Sequence, residues 1–296
     1  MIDLLEMKSK SMVFLKNGQH LPVKWLVLLA GWWVFAEACM RMRISDGAAS
    51  SKFSTAKVAL HTANLQVNHS NLHYAKAGVD SLPTLFFVHG SPGSWNAFMQ
   101  YMLDSDLLKR FRIVSVDRPG FGYSNFGKAQ SLAGNASSLL AVVLHEKNGK
   151  PVHLIGHSIG GPVVVKMAQQ APELFSSVTV LAGSISPFSE PREQWRGIVK
   201  SSVFRWLLPG AFRPSNDEIW EFKRELFLLD SGYQQLKMPV TFIHGDKDPF
   251  VSVENADYGM QKLTFNTGAR KIIIPGANHF IPWQQYDLIK AHLIKL

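Results

Sequence analysis

Val152-His153-Leu154-Ile155-Gly156-His157-Ser158-Ile159-Gly160-Gly161-Pro162 passes from an apolar strand pattern, through Gly-x-Ser-x-Gly, into a helical pattern that runs on to Ala171. Strand, sharp turn and helix in that order are the setting of a nucleophile elbow. The turn strains the serine backbone and lifts its hydroxyl clear, and small flanking residues let strand and helix pack closely. It also leaves the Ile159 amide at the start of the new helix, where free N–H groups and the helix dipole stabilise an oxyanion. The motif alone is weak, because Gly and Ser are common in ordinary strand-to-helix loops. It predicts chemistry only with a second oxyanion donor upstream, and an acid then a histidine downstream.

With 296 residues, 46% of them hydrophobic and 18% charged, the chain is long and apolar enough to bury one large α/β core with an insertion. Its net charge of +9 raises nucleic acid as a partner. However, residues 1–60 hold eight Lys/Arg against four Asp/Glu and so carry +4, and the other +5 is spread thinly, with no basic stripe and no nucleic-acid motif. No nucleic-acid partner is expected.

Lys8, Lys10, Lys16 and Lys24 lead into an uncharged run from Trp25 to Ala36, closed by Glu37. This run is short for a bilayer span and suits a signal-peptide core, with Ala36-Glu37-Ala38 resembling a cleavage site. A long preceding stretch and Trp32-Trp33 speak instead for an uncleaved anchor with an interfacial aromatic belt. The expectation is membrane association through a signal anchor. Export after cleavage, a cytoplasmic location and an amphipathic surface helix stay open. Cys39 is the only cysteine, so no internal disulfide forms; it is expected to pack as a small apolar residue, and a lipoprotein signal fits its neighbours poorly.

Ser45 to Thr55 reads as a Ser/Ala/Gly-rich linker, and Lys57 to Ala77 as an antiparallel hairpin interrupted at Asn68-His69-Ser70-Asn71. Leu82 to Val88 has the continuous apolar character of a buried parallel strand and ends in His89-Gly90-Ser91-Pro92-Gly93. A glycine-rich turn there brings amides close to a ligand, and the Ser91 amide is the second candidate oxyanion donor, with His89 bracing the loop. Ser94 reads as the N-cap of a helix from Trp95 to about Lys109. The strand Arg112 to Val116 then enters Asp117-Arg118-Pro119-Gly120-Phe121-Gly122-Tyr123-Ser124, whose two charges are expected to brace one another in a tight turn. A helix over Ser131 to Lys147 and a strand over Pro151 to Ile155 lead to the elbow.

The sequences 89–93, 117–124 and 156–160, in that order and spacing, resemble the alpha/beta-hydrolase fold superfamily over about residues 57–296. The resemblance implies a mostly parallel central sheet flanked by helices, as one domain over 56–296 after an N-terminal segment and linker over 1–55. It also implies a helical lid inserted after the sixth strand, about 187–236. Pro191, Pro209 and Pro214 separate the pieces of that segment, and Trp195, Phe204, Trp206, Trp220, Phe222 and Phe227 read as its apolar underside. Arg192, Arg196 and Arg205 there are expected in solvated ion pairs. Downstream, the strand Val240 to His244 enters Gly245-Asp246-Lys247-Asp248-Pro249. Asp248 matches the family's acid position, with Asp246 second and otherwise capping the loop. The strand Lys271 to Ile274 leads to His279 in a loop of small residues, at the sheet edge where ligands of open α/β sheets lie.

The expected chemistry is serine hydrolysis. His279 takes the proton of Ser158, Asp248 orients His279, and the amides of Ser91 and Ile159 hold the oxyanion. A carboxylic ester, lipid ester or lactone is the expected small-molecule substrate. A carbon–carbon bond hydrolase of the meta-cleavage type and a non-catalytic ligand-binding member of the fold are the alternatives. The sequence carries no metal cluster and no dinucleotide fingerprint, and acyl transfer needs no cofactor.

Overall fold

The computed structural model describes residues 23–67, 70–190, 193–202 and 204–296, apart from the side chains of residues 38 and 39. The apolar runs form eight strands: β1 (His61–Val67), β2 (Ser70–Ala77), β3 (Thr84–Val88), β4 (Arg112–Val116), β5 (Val152–His157), β6 (Ser177–Leu181), β7 (Val240–Gly245) and β8 (Arg270–Ile274). They make one sheet in the order β1-β2-β4-β3-β5-β6-β7-β8. β1 and β2 pair as the expected antiparallel hairpin, β2 is antiparallel to β4, and the remaining pairs are parallel.

Eleven helices are described: α1 (Val23–Cys39), α2 (Asp46–Thr55), α3 (Met99–Met102), α4 (Ser105–Leu108), α5 (Leu132–His145), α6 (Gly160–Gln170), α7 (Trp195–Lys200), α8 (Phe212–Asp230), α9 (Glu254–Lys262), α10 (Ile281–Gln284) and α11 (Tyr286–Leu293). They cover both faces of the sheet, which is why β3 to β7 are buried along their whole length. Phe86 and Val88 of β3 enter the core shared with α5, α6, α9 and the later part of α8. Leu85 and Phe87, one residue out of step, enter the core shared with α2, α3, α10 and α11. Val88 lies opposite both Val116 and Gly156, Leu181 opposite His157 and Ile243, and Gly245 opposite Ile274. The parallel strands therefore end nearly flush, and their loops gather at one edge.

The segment Ser45 to Thr55, expected as a linker, is instead the helix α2, capped by Ser45 Oγ, which accepts from the Ala48 amide. Ala49 and Phe53, four residues apart, put a narrow apolar stripe on the core, and Phe53 meets Trp95 at 6.3 Å between ring centroids. The helix expected from Trp95 to Lys109 is broken into a 3-10 turn, α3 and α4. Asp104 starts the last piece by accepting from the amides of Asp106 and Leu107 at 2.9 and 3.0 Å. Ser94 holds the N-cap position of the 3-10 turn only, without a side-chain cap; its hydroxyl lies 2.8 Å from Met42 O and 2.6 Å from Asn96 Oδ1.

Between β6 and β7 the chain is helical as expected, but Pro214 lies in the first turn of α8 and not between pieces, since a first-turn N–H has no helical partner to lose. Of the insert's aromatics, Phe222 reaches the core, whereas Trp195, Phe204, Trp206 and Phe227 are exposed. Arg196 and Arg205 pair with Glu193 and Asp217. Pro191 and Arg192, the hairpin residues 68–69, the lysines before Lys24 and the Cys39 side chain lie outside the description. Among the described residues no helix is long and apolar enough to cross a membrane.

Candidate active site

The elbow is formed as its sequence requires. Ser158 has φ +55°, a left-handed conformation that costs a non-glycine residue about 1–3 kcal/mol and persists only where its surroundings impose it. A Cβ on Gly156 would come within 2.2 Å of Gly160 O, and one on Gly160 within 2.3 Å of Val88 O. Both positions therefore need glycine for β5, α6 and β3 to close around the turn. The Ser158 amide donates to Leu181 O at 3.0 Å. Its hydroxyl makes no hydrogen bond among the described residues, to His279 or to any other group.

The amides of Ser91 and Ile159 are also without acceptors among the described residues. Ile159 immediately precedes α6, and Ser91 lies in the loop after β3. That loop is braced from below by His89, as expected. His89 Nδ1–H donates to Gly90 O at 2.6 Å, while Nε2 accepts from the Arg118 amide at 3.0 Å. Burial, and next the Arg118 charge, hold this imidazole well below its usual pKa, so it is neutral.

Asp117 and Arg118 do not brace one another. Adjacent residues leaving a strand point to opposite faces, and each finds other partners. Asp117 accepts from the amides of Trp95 and Tyr123 at 2.7 and 2.9 Å and from His73 Nδ1 at 2.8 Å. Arg118 donates to His89 O and Gly90 O at 2.9 and 3.0 Å, and its two terminal nitrogens meet both oxygens of Glu218 on α8 at 2.8 and 2.9 Å. The loop carrying Ser91 is thereby tied to the insert by a fully buried ion pair.

Asp248 and His279, distant in sequence, come together: His279 Nδ1 donates to Asp248 Oδ2 at 2.7 Å. The other Asp248 oxygen accepts from the amides of Phe250 and Val251, both at 2.8 Å. Burial alone would raise the pKa of this carboxyl. Hydrogen bonds from His244, His279 and the Val251 amide outweigh burial and hold it far below the usual range. Asp248 is thus ionised and engages His279 Nδ1, which leaves His279 Nε2, the nitrogen a general base uses, without a hydrogen bond among the described residues. Asp246, the second candidate acid, accepts from the Gly276 amide at 2.7 Å, in the loop after β8 that carries His279.

Two histidines passed over in the sequence touch this arrangement. His157, inside the elbow motif, donates from Nε2 to the carbonyl of His279 at 3.0 Å and stacks edge-on against Trp283. Burial, and then the neighbouring His279, push its pKa down to about 3, so it is a neutral strut between elbow and histidine loop. His244, at the end of β7, lies 3.4 Å from Asp248 Oδ2 and donates to Val251 O at 3.0 Å, closing the turn that aims the carboxylate. Its signal was its position four residues before Asp248. Phe250 and Phe280 stand beside the His279 ring at 5.5 and 5.9 Å and are exposed, forming an apolar rim.

Residues 83–209 match the family description alpha/beta hydrolase fold. The chain is 30% identical over 127 residues to a pimeloyl-[acyl-carrier protein] methyl ester esterase of Methylococcus capsulatus, a match covering 42% of this chain and 45% of that esterase. It is 32% identical over 269 residues to the uncharacterized hydrolase YugF of Bacillus subtilis, covering 77% of this chain and 94% of that protein. Its structure is similar to that of a bacterial membrane phospholipase A, with TM-score 0.60, 18% identity, and coverage of 92% of this chain and 96% of that one. Together with the strand order and the elbow, the near-complete match to a hydrolase at this identity places the chain in the alpha/beta hydrolase family.

Proposed function

We propose that the chain is a serine hydrolase that cleaves a carboxylic ester through an acyl-enzyme. The observation that carries this reading is Ser158 at φ +55°, with a hydroxyl and two amides, those of Ser91 and Ile159, at the same sheet edge that make no hydrogen bond among the described residues. In the proposed reaction Ser158 Oγ attacks the acyl carbon as His279 Nε2 takes its proton. The negative charge on the carbonyl oxygen falls to the two amides, and Asp248 stabilises the imidazolium. The imidazolium returns the proton to the leaving alkoxide. Water, activated by His279, then releases the acid and restores Ser158.

An esterase among the relatives and the apolar rim of Phe250 and Phe280 support an ester with an apolar acyl chain, a lipid ester or a lactone as substrate. In this reading the helical insert over 187–236 acts as the lid of the site. The helix α1, apolar on every side, holds the enzyme at a membrane. A serine-directed fluorophosphonate tests the core of the proposal: it should label Ser158 and no other residue. A Ser158→Ala variant that keeps full ester turnover would end it.

A further inference from the structure

The residues of α1 from Trp25 to Leu29 and from Trp32 to Phe35 are all exposed, and consecutive positions on a helix point around its whole circumference. A protein partner covers one face of a helix, whereas an apolar phase covers all of them. The helix is nonetheless held firmly at its C-terminal end. Ala36 is fully buried, Glu37 pairs with Arg213 on α8, and the Ala211 amide donates to Met40 O at 2.8 Å. At 17 residues, and so about 26 Å at the helical rise, α1 falls short of a hydrocarbon core of ~30 Å.

At this docked end a cavity of about 540 Å³ opens between Trp33 and Val34 of α1, Tyr123, Arg41 and Arg43. Arg41 donates to Glu37 O at 2.7 Å and lies over Phe126; Arg43 donates to Gly122 O at 2.7 Å and lies over Tyr123, 3.8 Å from its centroid. Among the described residues neither guanidinium pairs with a carboxylate, and Glu37, which also lines the cavity, is committed to Arg213. Two guanidiniums without an ion-pair partner among the described residues, beside an apolar wall, suit an amphiphile with an anionic head, and a guanidinium fork matches phosphate. Cations and tryptophans at the end of an apolar helix also mark the depth of a bilayer's headgroups.

We propose that this cavity seats the phosphate of a membrane phospholipid, with its acyl chains along Trp33 and Val34, so that Arg41 and Arg43 fix how deep α1 sits. The proposal rests on the reading of α1 as a membrane anchor. The test is partition of the full chain into two kinds of uncharged vesicle: phosphatidylcholine, which carries phosphate, and digalactosyldiacylglycerol, which does not. The protein should prefer phosphatidylcholine by about tenfold. Arg41→Gln combined with Arg43→Gln should remove that preference, leaving galactolipid partition and turnover of a soluble ester as in the wild type. Arg41→Gln alone carries the test if the double variant does not fold, because Arg43 also braces the Gly122 turn.

Millimolar inorganic phosphate should not displace the protein from phosphatidylcholine. If it does, and also raises the melting temperature without vesicles, the ligand is free phosphate and the lipid assignment falls. Equal partition of the wild type into both vesicles overturns the phosphate site and leaves the anchor standing. Exclusion from both, with self-association in their absence, overturns the anchor as well and gives α1 to a second copy.

Discussion

Replacing Glu218 by Leu tests whether the buried pair between the insert and the loop after β3 holds the site together. The Arg118 side chain is fully buried and that of Glu218 is 5% exposed, so the substitution strands a guanidinium with no carboxylate among the described residues, left to the carbonyls of His89 and Gly90 and the Phe121 ring. Removing one member of a buried pair costs about 3–5 kcal/mol. A domain of this size shifts its melting temperature by about 2–4 °C per kcal/mol, so calorimetry should show a fall of about 6–20 °C. Adding Arg118→Met removes the stranded charge and should recover part of that loss. The double variant nonetheless frees the two carbonyls that Arg118 held, and kcat on a soluble ester should drop by up to about 10², the scale of losing one oxyanion donor. A Glu218→Leu variant within about 1 kcal/mol of wild type, or a double variant with unchanged kcat, would refute this reasoning, since a surface pair contributes no more than that.

Asp248→Asn should lower kcat by about 10⁴ by favouring the wrong imidazole tautomer, while Asp246→Asn stays within about tenfold; steady-state kinetics on both variants decide, and the reverse ranking moves the acid to Asp246. Phe53→Ala should cost about 3–5 kcal/mol in denaturant unfolding, as for a core aromatic, and an effect under about 1 kcal/mol would restore the linker reading of α2. His157, with its pKa lowered to about 3 in the fold against 6.5 unfolded, gives the unfolded state the extra proton between these values. Stability should therefore fall as pH drops from 6.5 toward 3, and His157→Gln should flatten that slope in urea titrations; an unchanged slope would clear His157 of the effect.

The strands β3 to β8 and the elbow were legible because each rests on short-range patterns: a continuous apolar run, or two glycines either side of the turn. His279 stood out by its loop just past a strand end and Asp248 by the family resemblance alone, since Asp246 lies past the same strand; the structure brings His279 and Asp248 within 2.7 Å. What escaped depended on partners distant in the chain. Arg118 was assigned to Asp117 because they are adjacent, while its true partner, Glu218, is 100 residues away on α8. The α2 helix escaped because two buried side chains, Ala49 and Phe53, leave a pattern too sparse to stand out against serines and glycines. The exposed insert aromatics escaped because helical spacing gives a stripe without saying which way it faces.

The attachment points of α8 say where this enzyme can hinge. Arg213 near its start holds α1, Glu218 holds Arg118, Glu225 accepts from the Leu132 amide at 2.8 Å, the Leu229 carbonyl accepts from Gln169 at 2.9 Å, and Asp230 takes Tyr258 and Lys262. A beam pinned at five places along its length cannot swing as a flap. The chain before it is fastened differently, since Lys200 reaches Glu221 and Arg205 reaches Asp217 through part-exposed ion pairs that salt screens. Hydrogen exchange in α7 should therefore be faster than in α8 and quicken with ionic strength.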